Sequence, residues 1–143
     1  MNNIAKSVKG LAEVVLRVKD LDTMQAFYEE TIGFELDIRY GNELVFLNIA
    51  QGHKGYNQSL ALFAEEIPPH ASMTYDGLNS QQTTLHHFAL AISFTDYEAV
   101  KLRVEQLGLE VKTVVEEDGR HSLYVPDPER NVMEFVCYDP QRQ

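Results

Sequence analysis

The second half of this chain repeats the first, and this repeat restricts the possible folds more than any other feature. The segment LAEVVLRVKDLDTMQAFYEETIGFEL at residues 11–36 resembles LHHFALAISFTDYEAVKLRVEQLGLEV at residues 85–111. Positions that match at a constant offset include Leu11 with Leu85, Leu16 with Leu90 and Asp22 with Asp96. Further on, SLALF at 59–63 matches VMEFV at 132–136. Self-similarity over this length predicts two copies of one structural unit.

Both halves show the same order of predicted elements. A strand comes first, at 11–18 and at 85–93, and a helix follows it. Asp22 is predicted to cap the first helix, and the capping box Thr95-x-x-Glu98 the second. Gly33 and Gly108 are predicted to end the helices in a left-handed conformation. Three strands then complete each half, at 34–40, 43–50 and 58–64 and at 109–116, 120–126 and 131–138. The predicted fold class is α+β, built from two βαβββ modules.

The predicted organisation is one domain over residues 1–143. Module 1 covers about 11–64, a linker covers 65–84, and module 2 covers about 85–139. The linker contains Pro68-Pro69 and polar clusters without periodicity.

Composition excludes several classes of partner. The 143-residue chain has a formal net charge of −10, which disfavours binding to nucleic acid. Cys137 is the single cysteine, so no internal disulfide can form, and a reducing compartment is favoured. No stretch has the roughly 18 apolar residues of a membrane helix. We therefore expect a cytoplasmic protein without nucleic-acid or membrane partners.

Strand alternation assigns side chains to two faces, because neighbouring residues on a strand point in opposite directions. One face carries bulky apolar sets that should pack under the helices, namely Val14, Leu16 and Val18, then Phe88, Leu90 and Ile92, then Met133, Phe135 and Cys137. The face away from the helices carries Glu13, His87 and Glu134 on three different strands. His86 is expected under a helix or at the strand end.

A shared divalent cation would explain these three side chains together. Buried carboxylates without partners are costly, and two carboxylates neutralise a divalent charge. Glu13, His87 and Glu134 as ligands would leave open positions for water or substrate. Taken singly, each residue has an ordinary interpretation, since strand histidines are often hydrogen-bonded in a core and a glutamate at a strand start is usually solvated.

Three further residues are candidates for roles around this site. Tyr138 shares the face of Glu134 and could donate a proton or hydrogen bond to substrate, or pack at a rim. Arg17 shares the face of Glu13 and could bind an anionic group or pair with an acid. His121 could contact substrate or be a surface histidine beside a turn. Cys137 falls on the helix side, which disfavours a nucleophilic role.

The segments LRVKDLDTMQAFYEETIGFEL, LHHFALAI and LYVPDPERNVMEFVCYD resemble the vicinal oxygen chelate (VOC) superfamily over about residues 10–139. It includes glyoxalase I, extradiol dioxygenases and the fosfomycin and bleomycin resistance proteins. The resemblance implies a U-shaped mixed sheet around a cavity, with helices outside and metal ligands at Glu13, His87 and Glu134. The fourth family position falls at Ala61, which cannot ligate, and Glu13 stands where the family usually has histidine. Arg130 occupies a turn position that is usually glycine.

The resemblance implies a divalent cation (Fe, Mn, Ni, Co, Zn or Mg) and a small substrate that chelates it through neighbouring oxygens. The reaction would be a lyase or isomerase step, or an oxygenation, with Glu13 or Glu134 moving a proton. The alternatives are a metal-free, drug-sequestering protein of the bleomycin-resistance type and a scaffold that has lost both activities. We expect a homodimer, and the sequence leaves open whether the cup forms within one chain or across two.

Overall fold

The computed structural model describes residues 3–67 and 85–142. Most of the predicted linker, including Pro68-Pro69 and His70, lies outside the described residues. The chain divides into two compact units, Met1–Met73 and Thr74–Gln143. Among the described residues, neither helix has the length and apolar character needed to cross a bilayer.

The first unit is a four-stranded sheet with one helix. Its elements are β1 (Glu13–Val18), α1 (Leu21–Ala26), β2 (Glu35–Tyr40), β3 (Leu44–Gln51) and β4 (Asn57–Ala64). The strand order is β1-β4-β3-β2, with β1 parallel to β4 and the other pairs antiparallel. After α1 the chain continues as a π-helical turn, Phe27–Ile32, and ends at Gly33 in the left-handed conformation (φ 95°).

The second unit has the same topology. Its elements are β5 (Phe88–Ala91), α2 (Tyr97–Gln106), β6 (Lys112–Val115), β7 (Arg120–Pro126) and β8 (Val132–Tyr138). The strand order is β5-β8-β7-β6, and the first and last strands again pair in parallel. The predicted α+β class with two βαβββ modules is confirmed.

The strand register agrees with the sequence repeat at Glu134, one of the predicted metal ligands. In the first unit Val15 lies opposite Ala61 on the parallel neighbour. In the second unit Ala89, the repeat partner of Val15, lies opposite Glu134. Ala61 is therefore the structural counterpart of Glu134.

Each sheet has one face toward its helix, the helix-side face, and an opposite one, the far face. In the first unit the helix-side face buries Leu16, Val18, Val45, Leu47, Leu60 and Leu62, and α1 contributes Leu21 and Met24. In the second unit it buries Phe88, Leu123, Val125, Met133, Phe135 and Cys137 with Tyr97 and Val104 of α2. The predicted apolar faces thus carry the core, and their burial removes large apolar areas from water.

Two predicted helix caps are wrong. The N-cap of α1 is Asp20, whose carboxylate accepts a hydrogen bond from Thr23 N at 2.9 Å. Asp22 instead makes an exposed ion pair with Arg39 at 2.7 Å. The predicted capping box of α2 does not cap it, since a 3₁₀ turn, Phe94–Asp96, precedes the helix and its cap residue makes no side-chain hydrogen bond. A turn of 3₁₀ helix shifts the register that a four-residue motif requires.

The DPERN turn before β8 has an arginine, Arg130, at a position with positive φ where glycine is usual. Arg130 adopts φ 70°, where a side chain is strained. Asp127 organises the turn, because its Oδ1 accepts hydrogen bonds from Glu129 N and Asn131 N, each at 2.9 Å. This turn sets the register between β7 and β8, and so decides which residues of β7 lie beside Glu134.

Candidate functional site

A hydrogen-bonded group on the far face of the second sheet surrounds Glu134. Oε1 of Glu134 accepts a hydrogen bond from Ser122 Oγ at 2.6 Å. Oε2 lies 3.1 Å from His87 Nε2. Strand β8 supplies the carboxylate, the adjacent strand β7 supplies the hydroxyl, and the residue just before β5 supplies the imidazole. The structure therefore brings together two of the three predicted metal ligands.

The carboxylate of Glu134 is enclosed, while its imidazole partner reaches solvent. Glu134 is 5% exposed and Ser122 is 1% exposed, whereas the His87 side chain is 34% exposed. One oxygen of this carboxylate accepts a hydrogen bond from Ser122, and the other lies within ion-pair distance of His87. Because both oxygens have partners, the carboxylate is held in one orientation, with His87 as its link to the surface.

His86 also contacts this group, although it was expected outside the site; it lies at the strand end, one of its two expected positions. Strand β5 begins at Phe88 rather than at Leu85, so the two preceding histidines do not alternate as strand residues do. Their Nδ1 atoms lie 2.7 Å apart, and the rings meet edge to face with centroids 5.0 Å apart. A series of polar contacts therefore runs from exposed His86 through His87 and Glu134 to Ser122.

Tyr124 completes the aromatic surroundings of His87. The two ring centroids are 5.8 Å apart at an interplanar angle of 79°. Tyr124 lies opposite Glu134 in the β7–β8 register. Beside it a groove of about 160 Å³ is lined by residues that include Lys112, Tyr124 and Val132. That volume is below the roughly 300 Å³ of ordinary small-molecule sites, so this groove alone does not define a ligand pocket.

The far face of the first sheet carries the remaining predicted ligand. Glu13 begins β1 and is exposed, as is Arg17 on the same strand. In register, Glu13 lies beside Ser59 of β4, and Ser59 lies beside Asn48 of β3. Oδ1 of Asn48 is buried without a hydrogen-bond partner among the described residues. A row of polar side chains therefore crosses the first sheet at the level of Glu13.

The structure places two other candidate residues, Tyr138 and His121, on opposite faces of the second sheet. Tyr138 ends β8 on the far face and is 51% exposed, as the alternation predicts. His121 lies on the helix-side face, paired with Cys137, where its ring contacts Phe94 and Tyr97 at centroid distances of 5.2 and 5.1 Å. The expectation that His121 contacts a substrate beside Glu134 is thus corrected, because the two residues point to opposite faces of the sheet.

The donor pair of the second unit fits a divalent cation. Two ligand atoms, each about 2.1 Å from a cation and at right angles to one another, lie about 3.0 Å apart. The separation between His87 Nε2 and Glu134 Oε2 is 3.1 Å. Within the described ranges 3–67 and 85–142, no group of three or more His, Cys, Asp or Glu side chains is close enough to form a complete site. The described residues therefore bring together two of the predicted ligands and no third one.

Sequence reasoning missed Ser122 and Tyr124 and set His86 aside. Ser122 and Tyr124 alternate with buried Leu123 and Val125 on β7, and that alternation was a usable signal. Placing them beside Glu134 also required the register across the 127–131 turn. No local signal marked the contact of His86, which depends on where β5 begins.

Comparison with known proteins agrees with this architecture. A family model described as the Glyoxalase/Bleomycin resistance protein/Dioxygenase superfamily matches residues 10–135. No protein in a search of the curated proteins matches the chain significantly.

Three solved structures illustrate the likeness. An integron cassette protein from the mobile metagenome of the Halifax Harbour sewage outfall is 25% identical, with a TM-score of 0.69, over 91% of this chain and 99% of that one. Lactoylglutathione lyase from Agrobacterium tumefaciens is 24% identical, with a TM-score of 0.69, over 89% and 92%. A mutant of the fosfomycin resistance protein FosX from Listeria monocytogenes, complexed with Mn(II) and 1S,2S-dihydroxypropylphosphonic acid, is 21% identical with a TM-score of 0.64, over 94% of each chain. The latter two identities show the fold alone.

Proposed function

The chain belongs to the Glyoxalase/Bleomycin resistance protein/Dioxygenase superfamily, and we propose that it is a metal-dependent enzyme acting on a small substrate with neighbouring oxygens. His87 and Glu134 supply two ligands to a divalent cation, and the ligand role of Glu13 stays a prediction from the sequence. The reaction class is a lyase or isomerase step, or an oxygenation if the metal is Fe(II).

The observation that carries this proposal is the geometry of the pair in the second unit. His87 Nε2 and Glu134 Oε2 are 3.1 Å apart, and Ser122 holds the other carboxylate oxygen. This spacing suits neighbouring ligands of one cation, and the hydroxyl fixes the carboxylate before any metal arrives. The role of Glu13 is supported by the repeat, which matches it to His87, and by its position on a far face.

Each side chain then has a defined task. When bound, the cation supplies Lewis-acid polarisation of substrate oxygens. His87 presents Nε2 as a ligand, and Tyr124 packs against its ring. Glu134 contributes Oε2, while its Oε1 stays hydrogen-bonded to Ser122. Glu13 or Glu134 would move a substrate proton, and of the two only Glu13 is exposed. Tyr138 and Arg17 on the far faces are available to contact polar or anionic substrate groups.

A metal titration tests the proposal. Untagged protein, stripped with chelator, is titrated with Mn(II) and Co(II) by calorimetry. Wild type should bind, and Glu134→Gln should lose binding, since a neutral amide is a poor ligand but can keep the hydrogen bonds that support folding. Glu105→Gln and His53→Asn, which change an exposed helix residue and an exposed histidine, are matched controls and should bind as wild type does. Glu13→Gln should weaken binding if it is the third ligand.

Two outcomes would contradict this function. One is a wild-type protein that binds none of Mn(II), Co(II), Ni(II), Zn(II), Fe(II) or Mg(II). The other is a Glu134→Gln variant that binds as tightly as wild type.

A metal-free binding protein is the second candidate, and one observation favours it. Both oxygens of Glu134 already have partners in His87 and Ser122, so the pair is chemically complete without a cation. In that case the far faces would hold an organic guest. Native mass spectrometry of untagged protein separates the two, because retention of an organic molecule without metal favours sequestration.

A further inference from the structure

His86 lies in a position to control how its neighbour binds metal. Its Nδ1 is 2.7 Å from Nδ1 of His87, and the ring planes are inclined by 71°. The ring of His87 is also bounded by Tyr124. A hydrogen bond at one nitrogen and a ring contact together restrict rotation of the imidazole.

Only one hydrogen fits between two nitrogens at this distance, so one Nδ1 must donate and the other accept. In the metal-free arrangement, His87 Nε2 lies 3.1 Å from the carboxylate oxygen Glu134 Oε2. Because a carboxylate has no hydrogen to donate, a neutral His87 in this contact carries its hydrogen on Nε2 and accepts at Nδ1. His86 is then the donor. If Nε2 is to bind a cation, it must present a lone pair, so His87 Nδ1 must carry the hydrogen and donate it to His86.

From these contacts we infer that His86 is a positioning residue, which fixes the orientation and tautomer of His87 for metal binding. This inference rests on the proposed function. Its imidazole can serve as donor in one state and acceptor in the other, because each neutral ring has one nitrogen of each kind. On metal binding, the hydrogen between the Nδ1 atoms passes from His86 to His87. His87 releases its Nε2 hydrogen to solvent, and exposed His86 gains one at Nε2, so the proton count of the two rings is unchanged.

The test compares His86→Ala with His86→Asn, using Co(II) as the probe. Partners of metal-bound histidines typically contribute about 10–100-fold to affinity, and the alanine variant should lose affinity in that range. Asparagine should restore most of it, because its δ atoms occupy the same branch position as histidine Nδ1 and include both a donor and an acceptor. His53→Ala, at an exposed histidine of the first unit, is the control and should leave Co(II) binding unchanged.

A second readout does not depend on metal. Long-range ¹H–¹⁵N NMR of the metal-free protein reports the tautomer of His87. Wild type should show the Nε2–H form with a hydrogen-bonded Nδ1, and His86→Ala should shift the ¹⁵N resonance of His87 Nδ1 to that of an acceptor nitrogen without a hydrogen bond, because the contact at Nδ1 is lost. The inference is overturned if that resonance is unchanged in His86→Ala, whether or not Co(II) affinity falls. If wild type binds no Co(II), the metal hypothesis fails, and the NMR comparison still decides whether His86 positions His87.

Discussion

The hydroxyl of Ser122 should contribute more to stability than any exposed serine of the chain. It donates to Glu134 Oε1 at 2.6 Å, and the two residues are 1% and 5% exposed. A hydrogen bond to a charged group contributes about 1.5–3 kcal/mol, and no water replaces the donor when the site is closed. Replacing the serine by alanine removes one oxygen atom, and the void that it leaves is too small to add much to this energetic cost. We therefore expect Ser122→Ala to lower the free energy of unfolding by about 1.5–3 kcal/mol.

The chain supplies a matched control for this measurement. Ser93 Oγ also donates to a carboxylate, Oδ2 of Asp96, at 2.5 Å, but both residues are exposed. Ser93→Ala should therefore cost about 0.5 kcal/mol or less. Urea denaturation followed by circular dichroism suits a chain without tryptophan.

A double-mutant cycle then isolates the interaction. In a Glu134→Gln background the acceptor is neutral, so Ser122→Ala should cost only about 0.5–1.5 kcal/mol. The reasoning is refuted if Ser122→Ala costs no more than Ser93→Ala, or if its cost is the same with glutamate and glutamine at position 134.

Two further predictions concern the helix cap and the free thiol. Hydrogen bonds from Thr23 lower the pKa of Asp20, so its stabilising effect should be full at neutral pH and lost as pH falls through the depressed pKa. Asp20→Ala should therefore lower the unfolding midpoint at pH 7, with a gap to wild type that closes in acid, whereas Asp22→Ala should change it less; a gap independent of pH would contradict the cap. Burial raises the pKa of the Cys137 thiol, so iodoacetamide should modify it slowly at pH 7 in the folded protein and quickly in urea. Equal rates in both states would show that the helix-side face is open.

The alternation of side chains explains why so much of the fold was predictable. A period of two, repeated in both halves, places Leu16 and Val18 on one face and Glu13 on the other without knowledge of tertiary contacts. The same rule placed Glu134 opposite the core of its unit, and the repeat named Ala61 as its counterpart, as the register shows.

The predictions failed at the ends of helices and strands. Asp20 and Asp22 are equally good cap residues, and which of them caps α1 depends on where the helix begins after β1. Similarly, a start of β5 at Phe88 turns His86 toward His87, which alternation alone forbids. Predicting the contact between Ser122 and Glu134 required the register of the β7–β8 hairpin, whose turn contains Arg130 in an unusual conformation. Such boundaries vary by a few residues because weak, local terms compete there.

The parallel pairing of outer strands has a consequence for synthesis on the ribosome. Among the described residues of each unit, the first strand made pairs with the last one made, as with β1 and β4. Until Asn57–Ala64 has emerged, β1 lacks the strand with which it pairs, and only the helix α1 and the β2–β3 hairpin can form from residues close in the described sequence. Pairings of such long range slow folding and favour transient association with chaperones or other chains. The second unit follows the same order, so the surroundings of Glu134 are assembled only after nearly all of that unit has been translated.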